Sequence, residues 1–198
     1  MRIRGALIGV LLLFSGLVTS LRGQSLEQSK QDLLAFSARV VSIECDFIQS
    51  KESSLLTAPA VSSGHLSYRK PGYLVWDYMS PAPMTFIADG DQVYIRRGEQ
   101  TETLVGNAGR MMKEMSRMII GNMDGSVLTN EKLFKTEYAQ DGDSLVVTLY
   151  PQKPHLKKMW SKLALYYDCQ TMAATRFEMV EVAGDLMVIT FTNVRYGF

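Results

Sequence analysis

The sequence predicts an α+β protein: a curled antiparallel sheet forming an incomplete β-barrel of about ten strands, covered by helices acting as a lid. Three observations carry this. Short segments alternating apolar and polar residues recur along the chain. Each is closed by a turn signal such as Lys70-Pro71-Gly72, Ser80-Pro81-Ala82-Pro83 or Asp89-Gly90-Asp91, and connections this short favour an antiparallel meander. Two other segments carry apolar residues at helical spacing. A meander this long must curl to bury one face, and the two helices are available to cover what it leaves open.

The chain begins with Arg2 and Arg4 ahead of an apolar stretch from Ala6 to Val18, with no acidic residue before Glu27. This is the pattern of a secretory signal, and at about thirteen residues the stretch falls short of the ~20 that span a bilayer. Residues 1–23 are therefore expected to be removed, with cleavage after Ser20 or after Gly23 both open. No cysteine stands immediately after the apolar run, the first being Cys45, so a soluble, non-lipidated product is expected in the periplasm, with residues 24–198 as one domain.

The mature chain opens on an amphipathic helix, Ser25 to about Arg39, with Leu26, Leu33, Leu34 and Phe36 among polar residues. The period then changes to two: Val41, Ile43, Cys45 and Phe47 alternate with Ser42, Glu44 and Asp46. Strand patterns follow at 64–69, 73–79, 84–89, 92–97 and 101–105, then at 134–139, 144–150, 162–168, 175–182 and 186–196. Between the two groups, Met111, Met112, Met115, Met118 and Ile119 fall on one helical face, with Lys113, Glu114, Ser116 and Arg117 opposite. Asn107 is placed to cap this helix and Gly121 to end it.

Several function classes are disfavoured. The formal charge of +1 becomes −1 without Arg2 and Arg4, and −2 if Arg22 is lost too, so no basic surface for nucleic acid is indicated. The only imidazoles, His65 and His155, lie in no recognisable catalytic motif, and no nucleophile elbow, phosphate-cradling loop or zinc-binding pair is present. Asp89-Gly90-Asp91 and Asp141-Gly142-Asp143 are read as hairpin turns, since calcium needs six to eight oxygens. No enzyme, metal or cofactor is expected. Cys45 and Cys169 are open to pairing or to remaining free.

The methionine-rich helix suits a lid, because methionine is flexible and polarizable and repacks around varied apolar partners. The same stripe also suits permanent packing on a core. Lipid transport needs a dry apolar pocket, each buried methylene being worth ~0.8 kcal/mol, and a closed state only a few kcal/mol better than the open one.

Phe47-Ile48-Gln49, Ser63-Gly64-His65-Leu66, Arg69-Lys70-Pro71-Gly72 with Trp76-Asp77-Tyr78, then Pro81, Phe86-Ile87-Ala88-Asp89-Gly90 and Val93-Tyr94 follow one another along the chain. In these residues, their order and their spacing, the stretch from Phe47 to Tyr94 resembles the LolA family of periplasmic lipoprotein carriers. The likeness is clear over about the first half of the mature chain and compatible in strand layout beyond it. The resemblance implies an incomplete barrel with a helical lid, which takes lipoproteins from an inner-membrane transporter to an outer-membrane acceptor without a cofactor. It also implies a basic lid latch before the strand-joining proline. Lys70 stands here where the family usually has arginine, so either Lys70 or neighbouring Arg69 is the expected latch, and alternation allows only one of them to face the lid. The chain also stops at Phe198, where better-known members continue with another strand and a tail.

The expected acyl-chain pocket is walled by Phe47, Leu66, Leu74, Trp76, Tyr78, Met84 and Phe86 and covered by Met111, Met112, Met115, Met118 and Ile119. For Trp76, cavity wall and ordinary core share one sequence pattern. Lipoprotein acyl chains are the expected cargo of a monomer. The alternative is a sensor or interaction module on the same scaffold, which binds lipoproteins or other envelope lipids without delivering them.

Overall fold

In the computed structural model, which describes residues 25–198, Ser25 accepts the Gln28 N–H at 3.2 Å and starts α1, Leu26–Arg39. The side-chain oxygen satisfies a donor that the first helical turn leaves orphaned. The leader assigned to residues 1–23 lies outside the described residues.

Eleven strands follow, one more than the count of about ten. They are β1 Ser42–Glu52, β2 Ala60–Arg69, β3 Tyr73–Ser80, β4 Met84–Asp89, β5 Gln92–Arg97, β6 Gln100–Thr103, β7 Phe134–Asp141, β8 Ser144–Pro151, β9 Trp160–Asp168, β10 Ala174–Glu181 and β11 Leu186–Gly197. α2, Gly106–Met123, separates β6 from β7, and a single turn, α3, Pro154–Lys157, precedes β9. α3 leaves no signature in the sequence, because four residues are too few to show a helical period.

All strands join one open antiparallel sheet, ordered β6-β5-β4-β3-β2-β1-β11-β10-β9-β8-β7. The first and last strands therefore meet in the middle, Phe47 lying opposite Phe191. The edges are β6 and β7, which are consecutive along the chain, so the connection between them must cross from one edge of the sheet to the other. That connection contains α2. An 18-residue helix covers about 27 Å of the crossing at 1.5 Å per residue.

The start and stop of α2 differ from expectation. Val105, not Asn107, holds the cap position. Gly121 lies inside the helix, where a Cβ would meet Val127 Cγ2 at 2.1 Å; glycine there lets the following loop pack back on the helix. The stop is Gly125, at φ +74° just after Asp124, in the left-handed conformation that closes helices.

One face of the sheet is the core. Ile43, Cys45 and Phe47 on β1, Leu66 and Tyr68 on β2, and Leu74 and Trp76 on β3 are buried on alternate positions, as are Leu145, Val147 and Leu149 on β8. α1 packs against β7 and β8, so the two long helices cover different halves of the same sheet.

Candidate functional site

Beneath α2 lies a cavity of about 80 Å³. Its floor comes from alternate residues of adjacent strands: Leu74, Trp76 and Tyr78 on β3, Met84 and Phe86 on β4, Ile95 on β5. Gln49 on β1 and Met187 and Ile189 on β11 complete it. The roof is Met112, Met115, Ser116 and Ile119, at the i, i+3, i+4, i+7 spacing of one helical stripe.

Eight expected residues thus meet around one space: Leu74, Trp76, Tyr78, Met84, Phe86, Met112, Met115 and Ile119. The other four stand elsewhere. Phe47 and Leu66 are buried in the core, Phe47 packing beside the floor with its ring edge-on to Trp76 at 5.0 Å and to Tyr78 at 5.3 Å. Met118 is also core, 2% exposed, whereas Met111 is 49% exposed on the outer side of α2. The pattern marks a stripe about 100° wide and does not say which of its edges meets solvent.

Gln49, Ile95, Ser116, Met187 and Ile189 escaped the sequence reading. Gln49 could have been found from phase, since it continues the inward face of Phe47. Ile189 could not: it lies opposite Gln49 only because β11 pairs with β1 across the full length of the chain.

The polar groups of the cavity are few. Tyr78 donates its hydroxyl to Gln49 Oε1 at 3.1 Å, and burial pushes its phenol up to about 12, so it stays protonated. Ser116 donates to the Met112 carbonyl at 2.8 Å. The indole N–H of Trp76 is buried with no hydrogen-bond partner among the described residues.

Ser116 also borders a second, wider cleft of about 800 Å³ between α2 and the β2–β3 and β4–β5 turns. This one is charged. Lys113 pairs with Asp91 in the β4–β5 turn, and Arg117 reaches the same carboxylate at 3.5 Å. Tyr68 on β2 donates to Asp124 Oδ2 at 2.9 Å. Of the expected latch pair, Lys70 lines this cleft but makes no ion pair within 4 Å among the described residues, while Arg69 stacks over the Tyr73 ring at 5.6 Å. Two polar ties of α2 to the sheet thus run through Tyr68 and Asp91.

The two histidines stand apart from the cavity. His65 Nδ1 lies 3.0 Å from Asp46 Oδ1 beside Asn193, and His155 is exposed on α3. No helix among the described residues is long and apolar enough to cross a membrane.

Residues 38–197 match the family model described as outer membrane lipoprotein carrier protein LolA. The chain is similar to an outer-membrane lipoprotein carrier protein from Dechloromonas aromatica, 28% identical over 83 residues, or 41% of this chain. The match spans 40% of that relative's length. Among solved structures, lipoprotein LppX of Mycobacterium tuberculosis aligns with a TM-score of 0.48 at 12% identity, over 85% of this chain and 94% of that one. A LolA superfamily protein from Nitrosomonas europaea aligns at 0.41 and 9%, over 85% and 93%.

Proposed function

This chain belongs to the family of the outer membrane lipoprotein carrier protein LolA, and on that premise we propose that it is a periplasmic carrier. It binds the acyl chains of lipoproteins in the cavity beneath α2 and shuttles them from an inner-membrane transporter to an outer-membrane acceptor. It acts by binding, without a covalent step.

The observation carrying this reading is an almost wholly apolar space roofed by the methionine-bearing stripe of α2. In the closed state the cavity is about 80 Å³, roughly half the ~150 Å³ in which an apolar cavity holds one benzene. An acyl chain therefore enters only if α2 lifts from the floor. Burying a sixteen-carbon chain gains on the order of 10 kcal/mol. Opening breaks the Tyr68 hydrogen bond, worth about 1.5–3 kcal/mol, and the exposed, solvent-screened Asp91 pairs, and it gives up methionine contacts that the ligand then replaces. That difference permits both loading and release. Met112 and Met115 suit a roof that packs on the floor when empty and on acyl chains when filled.

The test is to express the full chain for export in a bacterial host, purify it without stripping lipid, and identify what co-purifies by mass spectrometry. A Met112→Glu, Met115→Glu double variant, checked for folding by circular dichroism, runs alongside. Stoichiometric acylated peptide in wild type, lost in the folded variant, is expected. No apolar cargo in wild type, even after lipoprotein is added, overturns the carrier reading in favour of an interaction module.

A further inference from the structure

Trp76 is 3% exposed, lines the cavity and holds an indole N–H that no described residue accepts. Indole nitrogen is a donor only, so the group cannot be satisfied by turning it into an acceptor. A buried donor left unpaired is uncommon enough to call for a reason. Packing does not supply one, because a phenylalanine here would keep an aromatic ring against Phe47 and Tyr78 without a stranded proton.

The neighbouring wall has the same polarity. Gln49 uses its oxygen to accept from Tyr78, which leaves its amide N–H groups as donors. Ser116 has already given its proton to Met112. No Lys, Arg or His lines the space. The unused N–H groups of the cavity, those of Trp76 and Gln49, thus meet an apolar guest with no cation beside them. A carboxylate would enter without a counter-charge, a hydrocarbon would leave the donors stranded, and an ether oxygen is a poor acceptor. A neutral carbonyl oxygen fits.

We propose that Trp76 Nε1, with the amide of Gln49 lining the same cavity, donates to the carbonyl oxygen of an acyl ester or amide, so that the cavity selects acyl groups over plain alkyl chains. This rests on the cavity being the lipid site, and the two ideas fail separately. The carbonyl can come from a lipoprotein or from a free acyl lipid.

The experiment is isothermal titration of the full-length chain, produced for export, with 1-monopalmitoylglycerol and with 1-O-hexadecylglycerol, which differ only in the carbonyl. A palmitoylated lipopeptide and its alkyl-ether counterpart form a second pair. The ester is expected to bind about five- to tenfold tighter than the ether, as one added neutral hydrogen bond implies. Trp76→Phe is expected to bring the ester-to-ether affinity ratio close to one, the ratio being read whatever the change in overall affinity. A preference in the lipopeptide pair alone assigns the carbonyl to a lipoprotein, and in the glycerol pair alone to a free acyl lipid; either supports the donor. Equal affinity for ester and ether in both pairs overturns the proposal while leaving the cavity as the lipid site. Binding of none of the four overturns the cavity reading too. The wild-type comparison stands if the variant fails to fold.

Discussion

The Tyr68 hydroxyl donates to Asp124 Oδ2 across 2.9 Å, joining a central strand to the residue that closes the roof helix. The other carboxylate oxygen accepts the Ser126 N–H at 3.0 Å, so the end of α2 is held from two sides. Burial, with Asp124 next, pushes the Tyr68 phenol far above its ordinary value, and it remains a donor throughout the physiological range. Tyr68→Phe should cost about 1.5–3 kcal/mol, as for a part-buried hydrogen bond to a carboxylate. It should also speed uptake of a fluorescent acyl ligand in stopped-flow mixing. Lys70→Ala should leave uptake within about twofold, since Lys70 lines the cleft without pairing. Equal acceleration by both variants would return the latch to Lys70.

Asp91 ties the other end of the contact. Lys113 and Arg117, one helical turn apart on α2, converge on its carboxylate. The Lys113 hydrogen bond, then its charge, holds the Asp91 carboxyl below its ordinary value of 3.8. A depressed carboxylate contributes fully above its unfolded value and loses the contribution only as pH falls through the lower folded one. Between pH 5 and pH 8 the tie should therefore not respond to pH, and salt is the lever. Raising NaCl from about 0.05 M to about 1 M shortens the screening length several-fold and should increase amide exchange in the first half of α2. Mass-detected hydrogen exchange checks this: Asp91→Asn should show the faster exchange at low salt and little further change at high salt.

Much of this architecture was legible because each strand carries its own phase and each hairpin its own turn residues. Gly90, at φ +57°, sits in the left-handed turn position that Asp89-Gly90-Asp91 announces. What the local pattern could not contain was long-range pairing. Asp91 read as turn chemistry alone because Lys113 is brought to it only when the chain crosses from β6 to β7. The burial of Met118 and exposure of Met111 are set likewise by what the rest of the chain packs against the helix. Gly121 read as a stop because glycine ends helices often, whereas here close packing by Val127 requires it.

Gly64 on β2 is a second glycine required by close approach, this time of backbone. A Cβ there would lie 1.9 Å from the Asp77 carbonyl oxygen on β3, beside the register shift between Ser63 and Gly64. The obstacle is main chain, which cannot turn aside as a side chain would. Gly64→Ala should lose about 3 kcal/mol, the upper part of the range for point substitutions. Gly72, whose Cβ would meet nothing within 4 Å, should change by no more than about 0.5 kcal/mol when made Ala. Urea unfolding checks both, with the midpoint falling for Gly64→Ala at an unchanged slope. Equal midpoints would mean that β2 and β3 separate without cost.

Cys45 and Cys169 are both free, one in the core of β1 and one in the half-exposed turn after β9. Burial, reinforced by Asp46, pushes the Cys45 thiol up to about 12, so the reactive thiolate is scarce at any ordinary pH. Cys169 is raised as well, by desolvation and then by Asp168 and Asp143, but its sulfur is within reach of solvent. Ellman's reagent at pH 8 should therefore titrate one thiol per folded chain, slowly, and two in guanidinium. Cys169→Ser should abolish the native reaction and Cys45→Ser should leave it intact. If the purified protein instead yields no thiol until a reductant is added, the cysteines are oxidised and the assignment of two free thiols is overturned.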